Sequence, residues 1–182
     1  YISSDCGSTL KRLDVTATGI DTAVLADALR TKTGGGALIS LAVGENRLTT
    51  TSTAALCKLL STTDTLAAIN LSGVVNSSNE GQNKKDRLAL EAVTATLLFN
   101  PHLSRSALKL ASNMMDPIFG RKLAAMCRNS RSLVKLDISE CSLGDETLAV
   151  LLQAYSETSQ PRIEMLNIAR NSRQGEDFGA SK

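Results

Sequence analysis

The sequence predicts an α/β repeat fold: a curved solenoid segment with a concave parallel β-sheet and convex helices. Three observations predict it. The stretch L-V-K-L-D-I-S-E-C-S-L beginning at Leu133 places Leu133, Leu136, Ile138, Cys141 and Leu143 at positions zero, three, five, eight and ten. Alternation at Leu136 and Ile138 is that of a strand, and Cys141 follows a turn that brings it back inward. The same spacing recurs in segments beginning at Leu10, Leu38, Leu66, Arg105, Leu133 and Ile163, at intervals of 28, 28, 39, 28 and 30 residues. Between segments lies an apolar stripe of helical period. A repeat of this length holds one short strand, a helix of about three turns and two loops. Neither element buries its apolar face alone, so neighbouring units must stack.

Residues 1–9 are polar and read as the tail of an earlier repeat or a frayed end. In the first unit Leu13 and Val15 mark the strand, Asp21 the helix N-cap, and Val24, Leu25, Ala28 and Leu29 the buried stripe. A loop at residues 31–36 (TKTGGG) ends it. The second unit has Leu41 and Val43 on its strand, Ser52 or Thr53 as cap, and Ala55, Leu56, Leu59 and Leu60 as helix core. The third has Ile69 and Leu71, then a run at residues 76–87 (NSSNEGQNKKDR) that is polar apart from Gly81. That run predicts a surface insertion, because closure entropy grows slowly with loop length. Its helix is expected from Leu88, burying Leu88, Leu90, Val93, Leu97 and Leu98, with Asn100-Pro101 ending it.

The fourth unit has Leu108 and Leu110 on its strand but Arg105 where the others carry Leu or Ile, so Leu103 is expected to fill that slot through a bulge. Asp116-Pro117 reads as N-cap and first helical residue, ahead of core residues Ile118, Leu123, Met126 and Cys127. In the fifth, Asp145 is the expected cap of a helix that buries Leu148, Leu151 and Leu152 and closes at Gln160-Pro161. The sixth has Leu166 and Ile168, followed by a polar run without a helix. Position eight is Thr18, Asn46, Val74, Asn113, Cys141 and Asn171. Asn there can satisfy backbone groups of adjacent turns, and Val74 cannot, which predicts a distorted turn between Val74 and Asn76.

The chain of 182 residues is read as one domain of about six repeats, residues 1–182, and as a segment of a longer solenoid. With three Phe, two Tyr and no Trp, its interior must be filled by Leu, Ala and Val. A net charge of +2 is too small to point to nucleic acid or an anionic membrane, and no apolar run is long enough to span one. Cys6, Cys57, Cys127 and Cys141 lack metal-ligand spacing and read as free, mostly buried thiols in a reducing compartment. Asn70-Leu71-Ser72 and Asn76-Ser77-Ser78 fit the glycosylation triplet, a pattern common by chance. Gly34-Gly35-Gly36 precedes a strand, whereas a phosphate loop feeds a helix. His102 stands alone, without partners for a metal site or a triad. No cofactor, no metal and no catalytic residue is expected, and the chain reads as a non-enzyme.

The segments LKRLDVTATGI, LISLAVGENRL, LAAINLSGVV, LVKLDISECSL and IEMLNIARNSR resemble the ribonuclease-inhibitor-type class of leucine-rich repeats, matching LxxLxLxxN/CxL. That resemblance implies a leucine-rich repeat solenoid over nearly the whole chain. LAAINLSG, LVKLDISECSL and the polar insertion also look like the capping-protein and myosin-I linker family. In that family the repeats form a cytoplasmic horseshoe beside separate partner-binding tails. This resemblance implies a cytoplasmic protein-interaction scaffold in a cytoskeletal regulator, and carries over no tail activity. Ran GTPase activators and nucleotide-sensing immune receptors also bear such repeats. A GTPase-activating role would need an exposed Arg, for which Arg12 and Arg47 are formally available. A structural role in a large assembly is the third reading.

The concave surface is expected from positions two, four and six. Its polar candidates are Lys109, Lys135 and Asp137, with Asn70 between them and Arg12 and Asp14 at the far end. No aromatic anchor stands among them. Their alternative role is a solvated face with internally paired charges. Small residues at position six (Thr16, Gly44, Ser72, Ala111, Ser139, Ala169) would leave a shallow groove. Lys84, Lys85 and Arg87 form the charged end of the insertion, a contact loop or a mobile surface loop. Leu13 and Val15 would lie near an exposed strand edge, which predicts cover by neighbouring sequence, a partner or self-association.

Overall fold

The structure, a computed structural model, describes residues 10–32, 38–75, 80–156 and 163–171. Six strands pair in parallel, in chain order, as one sheet: β1 (Arg12–Asp14), β2 (Ser40–Ala42), β3 (Ala68–Asn70), β4 (Ser106–Lys109), β5 (Leu133–Asp137) and β6 (Met165–Asn167). The helices α1 (Thr22–Lys32), α2 (Thr50–Thr62), α3 (Glu80–Leu98), α4 (Pro117–Asn129) and α5 (Gly144–Ser156) alternate with them. Each helix packs against the next. Among the described residues no helix is long and apolar enough to cross a membrane.

Register follows the sequence spacing. Leu13, Leu41, Ile69, Leu108, Leu136 and Leu166 form one row across the sheet. The four central members are buried with the leucines of the helices in one continuous core. Leu13 and Leu166, on the two edge strands, are only half buried. The expected bulge before β4 is not what the register shows: Ser106 and Ala107 pair with Leu133 and Lys135, so the extra residue is Val134 on β5, while Leu103 is buried in the core and Arg105 stays exposed.

Each strand ends in the same turn. Position seven is left-handed in all six units: φ is 56° at Ala17, 54° at Glu45, 65° at Gly73, 57° at Ser112, 59° at Glu140 and 57° at Arg170. Gly73 has a second constraint, since a Cβ there would meet the Glu45 side chain at 2.9 Å. Behind the turns, Asn46 Nδ2 donates to Val15 O at 2.8 Å and Val43 O at 3.1 Å, and its Oδ1 accepts from Gly19 N at 2.9 Å. Asn113 repeats this with Leu71 O, Leu110 O and Val75 N, and Asn171 with Ile138 O, Ile168 O and Cys141 N. Every second unit therefore carries an Asn that serves its own turn and the preceding one. Cys141 is buried as expected, and its thiol donates to Leu110 O at 3.1 Å.

The helices depart from expectation in detail. Val24, Leu88, Ile118 and Leu152 are exposed, not buried, and Ala28 is exposed as well. Smaller residues take the inner face instead: Ala23 and Ala26 on α1, Gly120 and Ala124 on α4, Thr147 and Ala154 on α5. The cap of α2 is Thr49, not Ser52 or Thr53. Thr49 and Ser52 form a reciprocal capping box, the Thr49 side chain accepting from Ser52 N at 3.1 Å and Ser52 Oγ from Thr49 N at 2.7 Å. Asp145 lies within the first turn of α5, which begins at Gly144. Asp116 caps α4 as expected, accepting from Phe119 N at 2.7 Å. Asp21 accepts from Ala23 N at the start of α1.

The main correction concerns the insertion. Residues 80–87 are not a loop but the first two turns of α3. Two of their polar side chains are inside: Asn83 is 6 % and Asp86 4 % exposed, and Gln82 Nε2 donates to Asp86 Oδ1 at 2.6 Å. A polar run can thus be helical and partly buried when its side chains pair with one another. The remaining expectations for residues 1–9 with Cys6, for Gly34-Gly35-Gly36, for Asn76-Ser77-Ser78 with the turn up to Asn76, for Gln160-Pro161 and for the run after Arg173 lie outside the described residues.

Candidate functional site

The open face of the sheet carries two cross-strand rows. One is Arg12, Ser40, Ala68, Ala107, Lys135 and Met165, and the other Asp14, Ala42, Asn70, Lys109, Asp137 and Asn167. The expected positions two and four thus come together as the spacing requires. Their polar members have different duties. Asp14 accepts from Thr16 N at 2.9 Å, Asn70 from Ser72 N at 2.9 Å, Asp137 from Ser139 N at 3.0 Å and Asn167 from Ala169 N at 3.2 Å. Position four is therefore a turn cap wherever it is Asp or Asn. The hydrogen bond from the Thr16 backbone N–H holds the Asp14 carboxyl below its usual range. Asp137 also accepts from Ser139 Oγ at 2.7 Å.

Lys109 and Lys135 are different. Both are exposed, on adjacent strands, and neither has a carboxylate within ion-pair distance among the described residues. Among the described residues no ion pair of the alternative role is formed by either lysine. Met165, opposite Lys135 on β6, is 57 % exposed; it takes position two of its unit as the spacing requires, and as an apolar residue it stands outside the polar candidates. At position six Gly44 and Ala111 are buried and Ser72 is half buried, so little side chain stands between the turns.

The other candidates are dispersed. Arg12 stands exposed on the edge strand β1. Lys84 and Lys85 are exposed on α3 rather than on a loop. Arg87 reaches the capping residue of the next helix, with Nε 3.2 Å from Asp116 Oδ2. Arg47 donates to Gln82 Oε1 at 3.2 Å. His102 is exposed and its backbone N–H donates to Asn100 Oδ1. Among the described residues no group of three or more His, Cys, Asp or Glu side chains is placed to hold a metal ion.

Two cysteine thiols are sealed in the core. Burial pushes Cys127 and Cys141 each up to about 12, which keeps them protonated and poor nucleophiles. Cys127 packs beside Tyr155, whose phenol is also pushed up by burial. No family model matches the chain, and no curated protein matches it.

Proposed function

We propose that the chain is a leucine-rich repeat segment of the ribonuclease-inhibitor type, acting in the cytoplasm as a non-enzymatic protein-binding scaffold of the kind the capping-protein and myosin-I linker family carries. The repeat reading is supported by the shared register of the strands, the left-handed residue at position seven of every unit and the Asn in every second turn. Strands spaced about 4.8 Å apart opposite helices about 10 Å apart bend such a stack, with the sheet inside. Repeat arrays use that inner surface for partners.

The observation that carries the binding reading is the pair Lys109 and Lys135, exposed and, among the described residues, without an ion-pair carboxylate, above a floor of small residues. Such a surface suits an acidic partner that approaches the sheet closely. A photo-crosslinking residue in place of Ala107, which lies beside both lysines, tests it. A discrete protein adduct from cytoplasmic extract is expected, lost in Lys109→Glu/Lys135→Glu and absent when the crosslinker replaces Ser61 on α2. Adducts that form equally at both positions, or survive the charge reversal, refute the reading.

A further inference from the structure

At 19 residues α3 is longer than the other helices, which have 11 or 13. Positions three or four apart share one face of a helix. Lys84, Leu88, Glu91, Ala95 and Phe99 therefore run down one side of α3, and Ile118, Lys122 and Ala125 down one side of α4. Glu91 Oε2 meets Lys122 Nζ at 2.8 Å, so these two sides adjoin across the seam between the helices. Leu88 precedes Glu91 by about 4.5 Å along its axis and Ile118 precedes Lys122 by about 6 Å, which sets the two side by side. Leu88 is 57 % exposed, Ile118 60 %, and Phe99 at the other end of the seam 51 %. Scattered exposed apolar residues need no account, but a run of them along one seam does. The unpaired charges here are of one sign. Glu91 is held by Lys122 and Asp116 by Arg87 at 3.2 Å. Lys84, one turn before Leu88, is exposed and forms no ion pair among the described residues, and the same holds for Lys85 beside it.

We propose that the α3–α4 seam docks one amphipathic helix of a partner protein, its apolar stripe on Leu88, Ile118 and Phe99 and its acidic end on Lys84 and Lys85. From Leu88 to Phe99 the seam runs about 16.5 Å, which a partner helix covers with apolar residues at i, i+4, i+7 and i+11. Acid is required at one end only, because Glu91 and Lys122 answer one another in the middle. Ala92 and Ala125, both exposed, keep the seam low there and let a helix lie close. An anionic membrane fits this surface less well. Asp145 and Glu146 stand exposed in the first turn of the adjoining helix α5, where a flat layer reaching across the helices would meet them. A second copy of the seam would bring no free carboxylate to Lys84 and Lys85, since Glu91 and Asp116 are already paired. The surface lies on the helices, apart from Lys109 and Lys135 of the sheet.

The probe is a fluorescein-labelled helical peptide with Leu at i, i+4, i+7 and i+11 and a run of Glu at one end. One match has Lys in place of the Glu, another Ser in place of the Leu. Fluorescence anisotropy is read with the whole chain. The Glu peptide is expected to bind and to lose roughly tenfold in affinity for Leu88→Ser/Ile118→Ser, which removes two apolar anchors. It should lose roughly threefold for Lys84→Glu/Lys85→Glu, on which the Lys peptide should gain. The Ser peptide should not bind. Leu88→Ser or Ile118→Ser alone, each at an exposed position, should give part of the loss and serves if the pair does not fold. Lys109→Glu/Lys135→Glu should leave binding of the Glu peptide unchanged, which separates this surface from the sheet. Absence of binding by the Glu peptide, undiminished binding to Leu88→Ser/Ile118→Ser, or an equal loss with the sheet lysines overturns the proposal. Co-sedimentation with phosphatidylserine vesicles that Leu88→Ser/Ile118→Ser abolishes also overturns it, and would make the seam a membrane contact.

Discussion

Position seven repeats one strained conformation in six different residues, only one of them Gly. A left-handed residue with a Cβ costs about 1–2 kcal/mol. What holds it is the next unit: Ala17 N donates to Gly44 O, Glu45 N to Ser72 O, Gly73 N to Ala111 O, Ser112 N to Ser139 O and Glu140 N to Ala169 O. The torsion aims each amide at the position-six carbonyl of its neighbour, so strain in one residue is exchanged for a bond between units. Relief of that strain should exceed the added entropy of an unfolded Gly, which is about 0.5–1 kcal/mol. Ala17→Gly should therefore raise stability by about 0.5 kcal/mol, whereas Ala54→Gly on the exposed face of α2 should lower it by about 1 kcal/mol. Urea denaturation of both variants measures this, and a loss at Ala17 equal to that at Ala54 would show the turn is not strained. The buried thiols give a pH signature. Cys127 and Cys141 have an ordinary value of 9.0 and stand at about 12 in the folded chain. Above about pH 9 the unfolded chain loses these protons while the folded chain keeps them, so the folded state binds more protons and stability falls as pH rises toward 12. Below pH 9 the two thiols contribute no slope. The urea midpoint should decline above pH 9, less steeply in Cys127→Ala; an unchanged slope in that variant would separate the decline from this thiol.

At the scale of elements, α4 packs on α5 through Gly120. A Cβ at Gly120 would overlap Thr147 Cγ2 and press on Leu143 Cδ2 at 3.1 Å. Ala is the better helix former by about 1 kcal/mol, yet overpacking of this kind costs typically about 1–3 kcal/mol. Gly120→Ala should thus destabilise the protein, and adding Thr147→Ser, which removes the obstructing methyl, should recover most of the loss. A stabilised Gly120→Ala in thermal melts would mean the helices move apart freely. This contact also shows why the strands were legible in the sequence and the helix faces were not. A strand has two faces, and Leu136 and Ile138 together fix which one is inside. A helix offers many, and here the inside is taken by Ala23, Ala26, Gly120 and Ala124, whose small size lets helices approach while Val24, Ile118 and Leu152 remain outside. Polarity misled in the same way at residues 80–87, because Asn83 and Asp86 are buried in a helix, Asp86 accepting from Gln82 one turn earlier. The lysines of the sheet were legible for the reason the strands were: spacing fixed their row. The turn-capping duty of Asp14, Asn70 and Asp137 was not, since it depends on an amide two residues on being turned toward them.

Across the whole molecule, the joints between units are not alike. Asn46 stitches the first turn to the second, Asn113 the third to the fourth and Asn171 the fifth to the sixth, while the Cys141 thiol links the fifth to the fourth. Between the second and third turns stands Val74, which has no group to offer. On the opposite side of the units, Asn100 supplies a tie at that joint: its Nδ2 donates to Leu60 O at 2.6 Å and to Thr63 O at 2.9 Å, and the residue is 5 % exposed. In a stacked array stability is close to a sum of units and nearest-neighbour joints, so a weakened joint is where the array divides. Asn100→Ala leaves two carbonyls short of a donor in a buried setting, at a cost of about 1–3 kcal/mol. The first two units, with fewer neighbours, should then open ahead of the rest. Native-state hydrogen exchange reads the division directly. In Asn100→Ala the amides of Leu41 and Val43 should exchange at a lower free energy than those of Leu136 and Ile138, a gap wider than in the unaltered chain. The control is Asn113→Ala, which cuts a stitch between the third and fourth turns and should move the division one joint along, leaving Leu41 and Val43 grouped with Ile69 and Leu71. If both substitutions lower protection uniformly, the joints are too strongly coupled for any one Asn to set where the array opens.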